Sequence, residues 1–492
     1  MAAGSSDASA IGEQSAPPAW TGHGDRRVGL WAAGLVVAYL VVGLITFHRT
    51  LLPDEIRPLI LADRPLAEQM DVARGDLVQT PASYLLARVW IAPFTNKDTG
   101  AKSLALVIGA ATIALFTLLA RRVTPHWALA AVLCCAMYMR PGTSPNLVRM
   151  YGLLVLCSVA ALLIWDAWRA RPRWPLLAGW CAVMSLALYS HLSAVLLLGA
   201  MVVATWLLGP RRLAFTIAAV VAIASLIPWI AYVYPVFQER GIQANVGAIA
   251  EDPTRALLRL PFFLLTGDSP GVASPLEEAY SVGIPRALPW AALLLFAGLI
   301  GAGLAGAVGR WKARSGPRPR LDEWRLAALA MVVLPTIVLY GFSLAAEPVV
   351  TARYLLACLP AVWLLLVLAG DAGGRPGRWL LLAVTAWVVL SAGYVTRLHL
   401  PISAARAATN YLAVHRRDTD RVIAARHTAI GWQVHWEWTR RLGRTERIEI
   451  LPSPQPEWLS GIVPARSLDE IDLAGASRVW YIDQGRRSAE SF

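Results

Sequence analysis

The sequence predicts an α-helical polytopic membrane protein with about 11 transmembrane helices, external interfacial helices and a small C-terminal extracytoplasmic α/β domain. Three observations predict it. Of the 492 residues 57% are hydrophobic and 16% charged, with a mean hydropathy of +0.51, which is more apolar surface than a soluble domain buries. Apolar runs of about 20 residues, the length a bilayer demands, recur along the chain. Arginines gather in the short loops that alternate spans place on one side. The net charge of +13 does not indicate nucleic acid, because the basic residues build no stripe with interleaved aromatics.

Taken in order, residues 1–27 are rich in Ala, Ser and Gly and predict a disordered cytoplasmic tail. Arg26-Arg27 then precede the first span, 28–47, which is too long for a cleaved signal core. A polar loop follows at 48–80, holding Asp54, Glu55, Asp63, Glu68, Asp71 and Asp76. The run 81–94 is apolar but short and carries Arg88, which suits an external helix lying at the interface or re-entering. Further spans are expected at 102–120, 126–138, 147–168, 174–190, 191–208, 213–232, 287–308, 325–345, 354–370 and 379–395. The membrane domain is thus 28–397, with external loops 48–101 and 233–286. A soluble outer segment, 398–492, has strand patterns at 421–425, 447–451 and 479–482.

Orientation rests on the arginines. With the N-terminus inside, Arg121-Arg122, Arg169 to Arg173, Arg211-Arg212, Arg310 to Arg325 and the 371–378 loop all face the cytoplasm. An odd number of spans then puts the C-terminal domain outside. The cysteines Cys134, Cys135, Cys157, Cys181 and Cys358 all lie in apolar runs, without metal or disulfide spacing, and read as small packing residues. The tryptophans Trp432, Trp436 and Trp438 read equally as sugar platforms or packing residues and stay outside the site.

Four features fall on the outer side. Asp54-Glu55 follow the first span, either as solvated loop acids or as a general base for a hydroxyl in a cleft. Arg149 with Tyr151, and Arg353 with Tyr354, stand at outer helix starts, where arginine grips a phosphate or snorkels to a headgroup. His191, in Tyr189-Ser190-His191-Leu192, is either a ligand to sugar or phosphate or a helix cap.

These residues carry a family resemblance. The chain from 30 to 395 resembles the C-type (GT-C) integral membrane glycosyltransferases of the family 39 or protein-mannosyltransferase-like group. The matching pieces are Pro53-Asp54-Glu55, Thr80-Pro81-Ala82-Ser83-Tyr84-Leu85-Leu86-Ala87-Arg88-Val89-Trp90, Val148-Arg149-Met150-Tyr151, Leu188-Tyr189-Ser190-His191 and Arg353-Tyr354-Leu355-Leu356-Ala357-Cys358-Leu359-Pro360. The chain departs from the family at Gln79-Thr80-Pro81, where His-Pro-Pro is common, and at Leu147, where an acid often precedes the arginine.

The resemblance implies inverting transfer of a sugar, hexosyl or pentosyl, from a polyprenyl-phosphate-linked donor to an acceptor hydroxyl of a glycan, lipid or protein. The place implied is the outer face of the plasma (inner) membrane. Asp54 is then the base, with Glu55 next. Arg353 and Arg149, with His191, neutralise the leaving phosphate. No metal or other cofactor is expected, since one acidic dipeptide presents few ligands to a hard cation and there is no Asp-x-Asp. The alternatives are a transporter or flippase of a lipid-linked sugar, and an inactive partner of another transferase.

Overall fold

The computed structural model describes residues 22–48, 51, 53–62, 64–75, 80–139, 149–209, 211–240, 254, 257, 260, 294–303, 305, 320–345, 352–399, 404–416, 420–424, 438, 449–450 and 479–482. The expectations for the first 21 residues, most of the loop 233–286, Leu147, Gln79, Trp432 and Trp436 lie outside them.

In chain order the helices begin with α1 (Gly22–Ile45), α2 (Pro53–Ala62), α3 (Leu66–Gly75), α4 (Ala82–Ile91), α5 (Lys97–Val123) and α6 (Trp127–Tyr138). Next are α7 (Met150–Ala170), α8 (Trp174–Ser190), α9 (Ala194–Leu208), α10 (Arg212–Ala224) and α11 (Ile227–Arg240). The apolar α12 (Leu294–Gly303) precedes α13 (Arg320–Ala345). A 3₁₀ helix, Ala352–Cys358, leads into α14 (Leu359–Ala372), α15 (Gly374–His399) and α16 (Ala404–His415).

Among the described residues six helices are long and apolar enough to cross a membrane, or seven if the bent pair α10–α11 is one span. These are α1, α5, α7, α13, the 3₁₀ helix continued by α14, and α15. The expected spans at 126–138, 174–190 and 191–208 correspond to the shorter α6, α8 and α9, and the described part of 287–308 includes α12. The chain is therefore a polytopic helical membrane protein, and the count of about 11 exceeds what helix length alone gives.

One expected single span is broken, at a proline. The segment 213–232 is α10 and α11, meeting at 47°, because Pro228 cannot donate to the turn before it and its ring crowds the Ala224 carbonyl. The Tyr189 hydroxyl donates to the Ser225 carbonyl at this break, at 2.6 Å. The segment 354–370 stays one span, changing from 3₁₀ to α geometry at Leu359, with Pro360 in the first turn of α14, where the missing N–H costs nothing. Arg353-Tyr354 consequently sit on the 3₁₀ helix.

The 48–80 segment, expected as a polar loop, is helical over α2 and α3. In α2 the side chains of Ile56, Leu59 and Leu61 are buried, so an amphipathic face holds it down. At ten residues, α4 is about 15 Å long, too short to cross. It buries Tyr84, Ala87 and Ile91, while the Arg88 guanidinium donates to the Arg64 carbonyl.

Helix α7 forms the centre, with Trp165 edge-on to Trp324 of α13 at 5.2 Å and its indole N–H donating to Thr205 Oγ1 at 2.8 Å. Helix α1 leaves most of its apolar surface outward, including Leu30, Val37 and Leu44, as a lipid-facing helix does. It docks on α5 where glycine permits it: a Cβ on Gly109 would stand 2.2 Å from the Tyr39 hydroxyl oxygen.

The arginine-bearing helix ends converge on one end of the bundle. Asp166, near the C-terminal end of α7, is 3% exposed. It accepts from Arg320 Nη2 at 2.6 and 2.7 Å and from the Trp324 indole at 3.1 Å, with Arg122 Nη1 at 3.8 Å. Arg169 pairs with Glu323 at 2.6 Å, and Arg325 with Asp322 and Asp371. His126 Nε2 and Arg378 also approach Asp371, at 3.5 and 3.8 Å. Because α7 runs from Met150 to Ala170, its start lies about 30 Å from its arginine-bearing end at 1.5 Å per residue.

In the C-terminal segment, strands β1 (Arg421–Ala424), β2 (Glu449–Ile450) and β3 (Val479–Ile482) form a parallel sheet in the order β2-β1-β3. Ile423 faces Glu449 on one side and Tyr481 on the other. Asp420 accepts from the Trp480 indole at 2.9 Å. Trp438, 1% exposed, lies under Arg416 at 5.3 Å as a packing residue.

Candidate active site at the end of the bundle opposite the arginine loops

Arg149 precedes α7 with an extended backbone, so its side chain leaves the bundle axis at a helix start, where the unsatisfied N–H groups already favour an anion. The guanidinium carbon stands 5.4 Å from the Tyr151 ring centroid. The Tyr151 ring is 5.5 Å from His191, and His191 is 5.6 Å from Tyr354. A ladder of one cation and three rings thus joins α7, the turn between α8 and α9, and the 3₁₀ helix. Arg353 is next to it in sequence and half-buried. All five residues singled out for substrate binding, Arg149, Tyr151, His191, Arg353 and Tyr354, come from these three elements.

The imidazole of His191 is held by its own turn, which lies outside both helices. The Ser193 backbone N–H donates to Nδ1 at 3.1 Å, and Ser193 Oγ is 2.8 Å from the same nitrogen. Accepting that N–H places the ring proton on Nε2. Burial first, and the Arg149 guanidinium second, push the imidazole down from 6.5 to about 3. At neutral pH the ring is uncharged and supplies a donor, not a positive charge.

A stability prediction follows from that neutral ring. Between pH 6.5 and about 3 the unfolded chain binds a proton that the native ring refuses. Stability is therefore complete above this window and drains as pH falls through it. Going from about pH 7 to about pH 5, His191 is expected to withdraw about 2 kcal/mol. Melting in detergent should show it, with a shallower pH slope for His191→Gln. Equal slopes would count against a buried neutral imidazole.

A pocket opens beside Arg149, lined by Pro58, Leu86, Leu104, Ile108 and Leu153 together with Ser83, Ala87, Ala105 and Met150. Its walls come from α2, α4, α5 and α7. Apolar walls with Arg149 among them suit a ligand that is hydrocarbon at one end and anionic at the other. Helix α2, which supplies Pro58, also carries the acidic pair. Glu55 is fully buried, so it is not a solvated loop acid. Asp54 lies in α2, and its side chain is outside the described residues.

Two side chains in this region were not among the expected site residues. Thr80 Oγ1 donates to the Leu188 carbonyl at 3.0 Å, tying the start of α4 to the end of α8. Lys102, 6% exposed, donates to the Phe47 carbonyl at 2.8 Å and to Asp98 at 2.9 Å. The signal for Lys102 was present: a lysine four residues after an aspartate, at the head of an apolar run. Among the described residues no three His, Cys, Asp or Glu side chains gather as a metal site would require.

No family model matches the chain, and no curated protein does. Among solved structures it is similar to ArnT from Cupriavidus metallidurans bound to undecaprenyl phosphate, at 16% identity and a TM-score of 0.48. That overlap covers 89% of this chain and 90% of that one. It is also similar to the archaeal oligosaccharyltransferase AglB from Archaeoglobus fulgidus in complex with an inhibitory peptide and a dolichol phosphate, at 12% identity and a TM-score of 0.39. There the overlap covers 86% of this chain and 64% of that one. Overlaps this loose transfer neither an activity nor a residue role.

Proposed function

We propose that the chain is a membrane glycosyltransferase of the C-type architecture, moving a sugar from a polyprenyl-phosphate-linked donor to an acceptor hydroxyl with inversion. The observation that carries this reading is the pocket whose mostly apolar lining includes Arg149 and Pro58, the latter on the helix that bears Asp54 and Glu55. The polyprenyl chain lies along Leu104, Ile108 and Leu153. Its phosphate meets Arg149 and Arg353, while the His191 Nε2–H and the Tyr151 and Tyr354 hydroxyls supply neutral donors to phosphate or sugar.

In the reaction the acceptor oxygen attacks the anomeric carbon from the face opposite the phosphate. The bond from that carbon to the phosphate oxygen breaks, and polyprenyl phosphate departs with both electrons. Asp54, with Glu55 next to it, takes the acceptor proton. The leaving phosphate needs charge neutralisation more than a proton, which assigns the arginines their part. Placing the arginine-rich end in the cytoplasm puts this chemistry on the outer face of the plasma membrane.

The test is release of free polyprenyl phosphate by the purified protein in nanodiscs, given polyprenyl-phosphate sugars and envelope acceptors. Arg149→Ala is expected to raise the donor KM by about 10-fold or more, the worth of one charge-assisted contact. Wild-type protein that binds the lipid-linked sugar without ever releasing polyprenyl phosphate would favour the transporter reading.

A further inference from the structure

We propose that Lys102 is the positioning residue that holds the acidic turn, Asp54-Glu55, in its working place. The inference rests on the transferase reading for its catalytic consequence, though not for its structural part. Lys102 is a buried lysine within a membrane-crossing helix, a costly arrangement that persists where the charge has work and partners. Its ammonium donates to the Phe47 carbonyl, 55 residues away, at 2.8 Å and to Asp98 Oδ2 at 2.9 Å. It also stands 5.7 Å from the Phe47 ring centroid.

Phe47 lies in the 3₁₀ turn Thr46–His48 that follows α1, and α2 begins at Pro53. Leu51, and Glu55 and Ile56 in the first turn of α2, are completely buried. Carbonyls at a helix end have no partner within the helix. One of them is here taken by an ammonium fixed on the neighbouring helix. Asp98, one turn earlier on α5, is 20% exposed at its side chain and steadies the lysine from the side.

The same part of α5 is anchored a second time. The Trp90 indole of α4 donates to Ser103 Oγ at 3.0 Å, and Gly100 is pressed against Phe94 so closely that a Cβ there would lie 3.0 Å from its ring. Lys102 therefore works from a rigid base, and the register in which α2 follows α1 is set by one ammonium. Residues 54 and 55 follow the anchored Phe47 by seven and eight positions in the chain.

The test compares wild type, Lys102→Met, Lys102→Arg and Asp98→Asn in nanodiscs by two measurements. The first is hydrogen–deuterium exchange of a peptide covering 46–56, which needs no substrate. Lys102→Met is expected to exchange faster there while the start of α7 is unchanged. The second is polyprenyl phosphate release. Lys102→Met is expected to lower kcat by about 10- to 100-fold, the cost of a misplaced group, with donor KM unchanged. Lys102→Arg should restore most of kcat, and Asp98→Asn should fall between wild type and Lys102→Met.

Unaltered exchange at 46–56 in Lys102→Met overturns the inference. So does a matched loss of kcat and donor binding that Lys102→Arg fails to rescue. If wild type itself releases no polyprenyl phosphate, the transferase reading fails, and the exchange measurement still decides whether Lys102 holds the turn.

Discussion

Asp54→Asn is expected to lower kcat for polyprenyl phosphate release by about 10² to 10⁴, the contribution of a positioned general base, while donor binding and melting temperature stay at the wild-type level. The amide keeps the shape of the carboxylate and loses only its ability to take a proton. Glu55→Gln should behave differently. Glu55 is fully buried, so its replacement is expected to lower the melting temperature as well as activity. Neighbouring acids on one short helix would then be separated by their readouts, one kinetic and one of stability. Asp54→Asn that turns over as wild type does would remove the base assignment.

Asp166→Ala is expected to be the most destabilising single change at the opposite end, by about 3 kcal/mol. The carboxylate is 3% exposed and answers two N–H contacts of Arg320 and the Trp324 indole. Removing it leaves the buried indole without that acceptor. Arg320 is 47% exposed at its side chain and regains water, which holds the loss to the lower part of the usual range. Melting in detergent measures it, with Arg378→Ala, 56% exposed, as a control expected near zero. Activity per folded molecule should be unchanged, since the candidate site lies about 25 Å away along α7.

The helices α6, α8 and α9 show how composition and geometry divide the work. Their apolar residues were plain in the sequence, yet they have 12, 17 and 15 residues. Hydropathy finds such a segment without fixing what it does in the bilayer. The broken span at 213–232 and the change of helix type before Leu359 have a related cause. Pro228 and Pro360 were visible, but a windowed reading averages over a single missing N–H, and the local turn alone decides whether the helix bends or restarts.

By itself the sequence determined that the chain is a polytopic helical membrane protein, because apolar run length and loop arginines are local properties set by the bilayer. It also picked out Arg149, Tyr151, His191, Arg353 and Tyr354 as candidate site residues. Only the tertiary structure decided that four of them stack into one ladder, that the His191 imidazole is neutral, and that Glu55 is buried. It alone showed Lys102 gripping the end of α1. Ring contacts across 40 and 163 residues, a buried ring's proton and a carbonyl 55 residues away depend on which helices pack together, and packing is a property of the whole bundle.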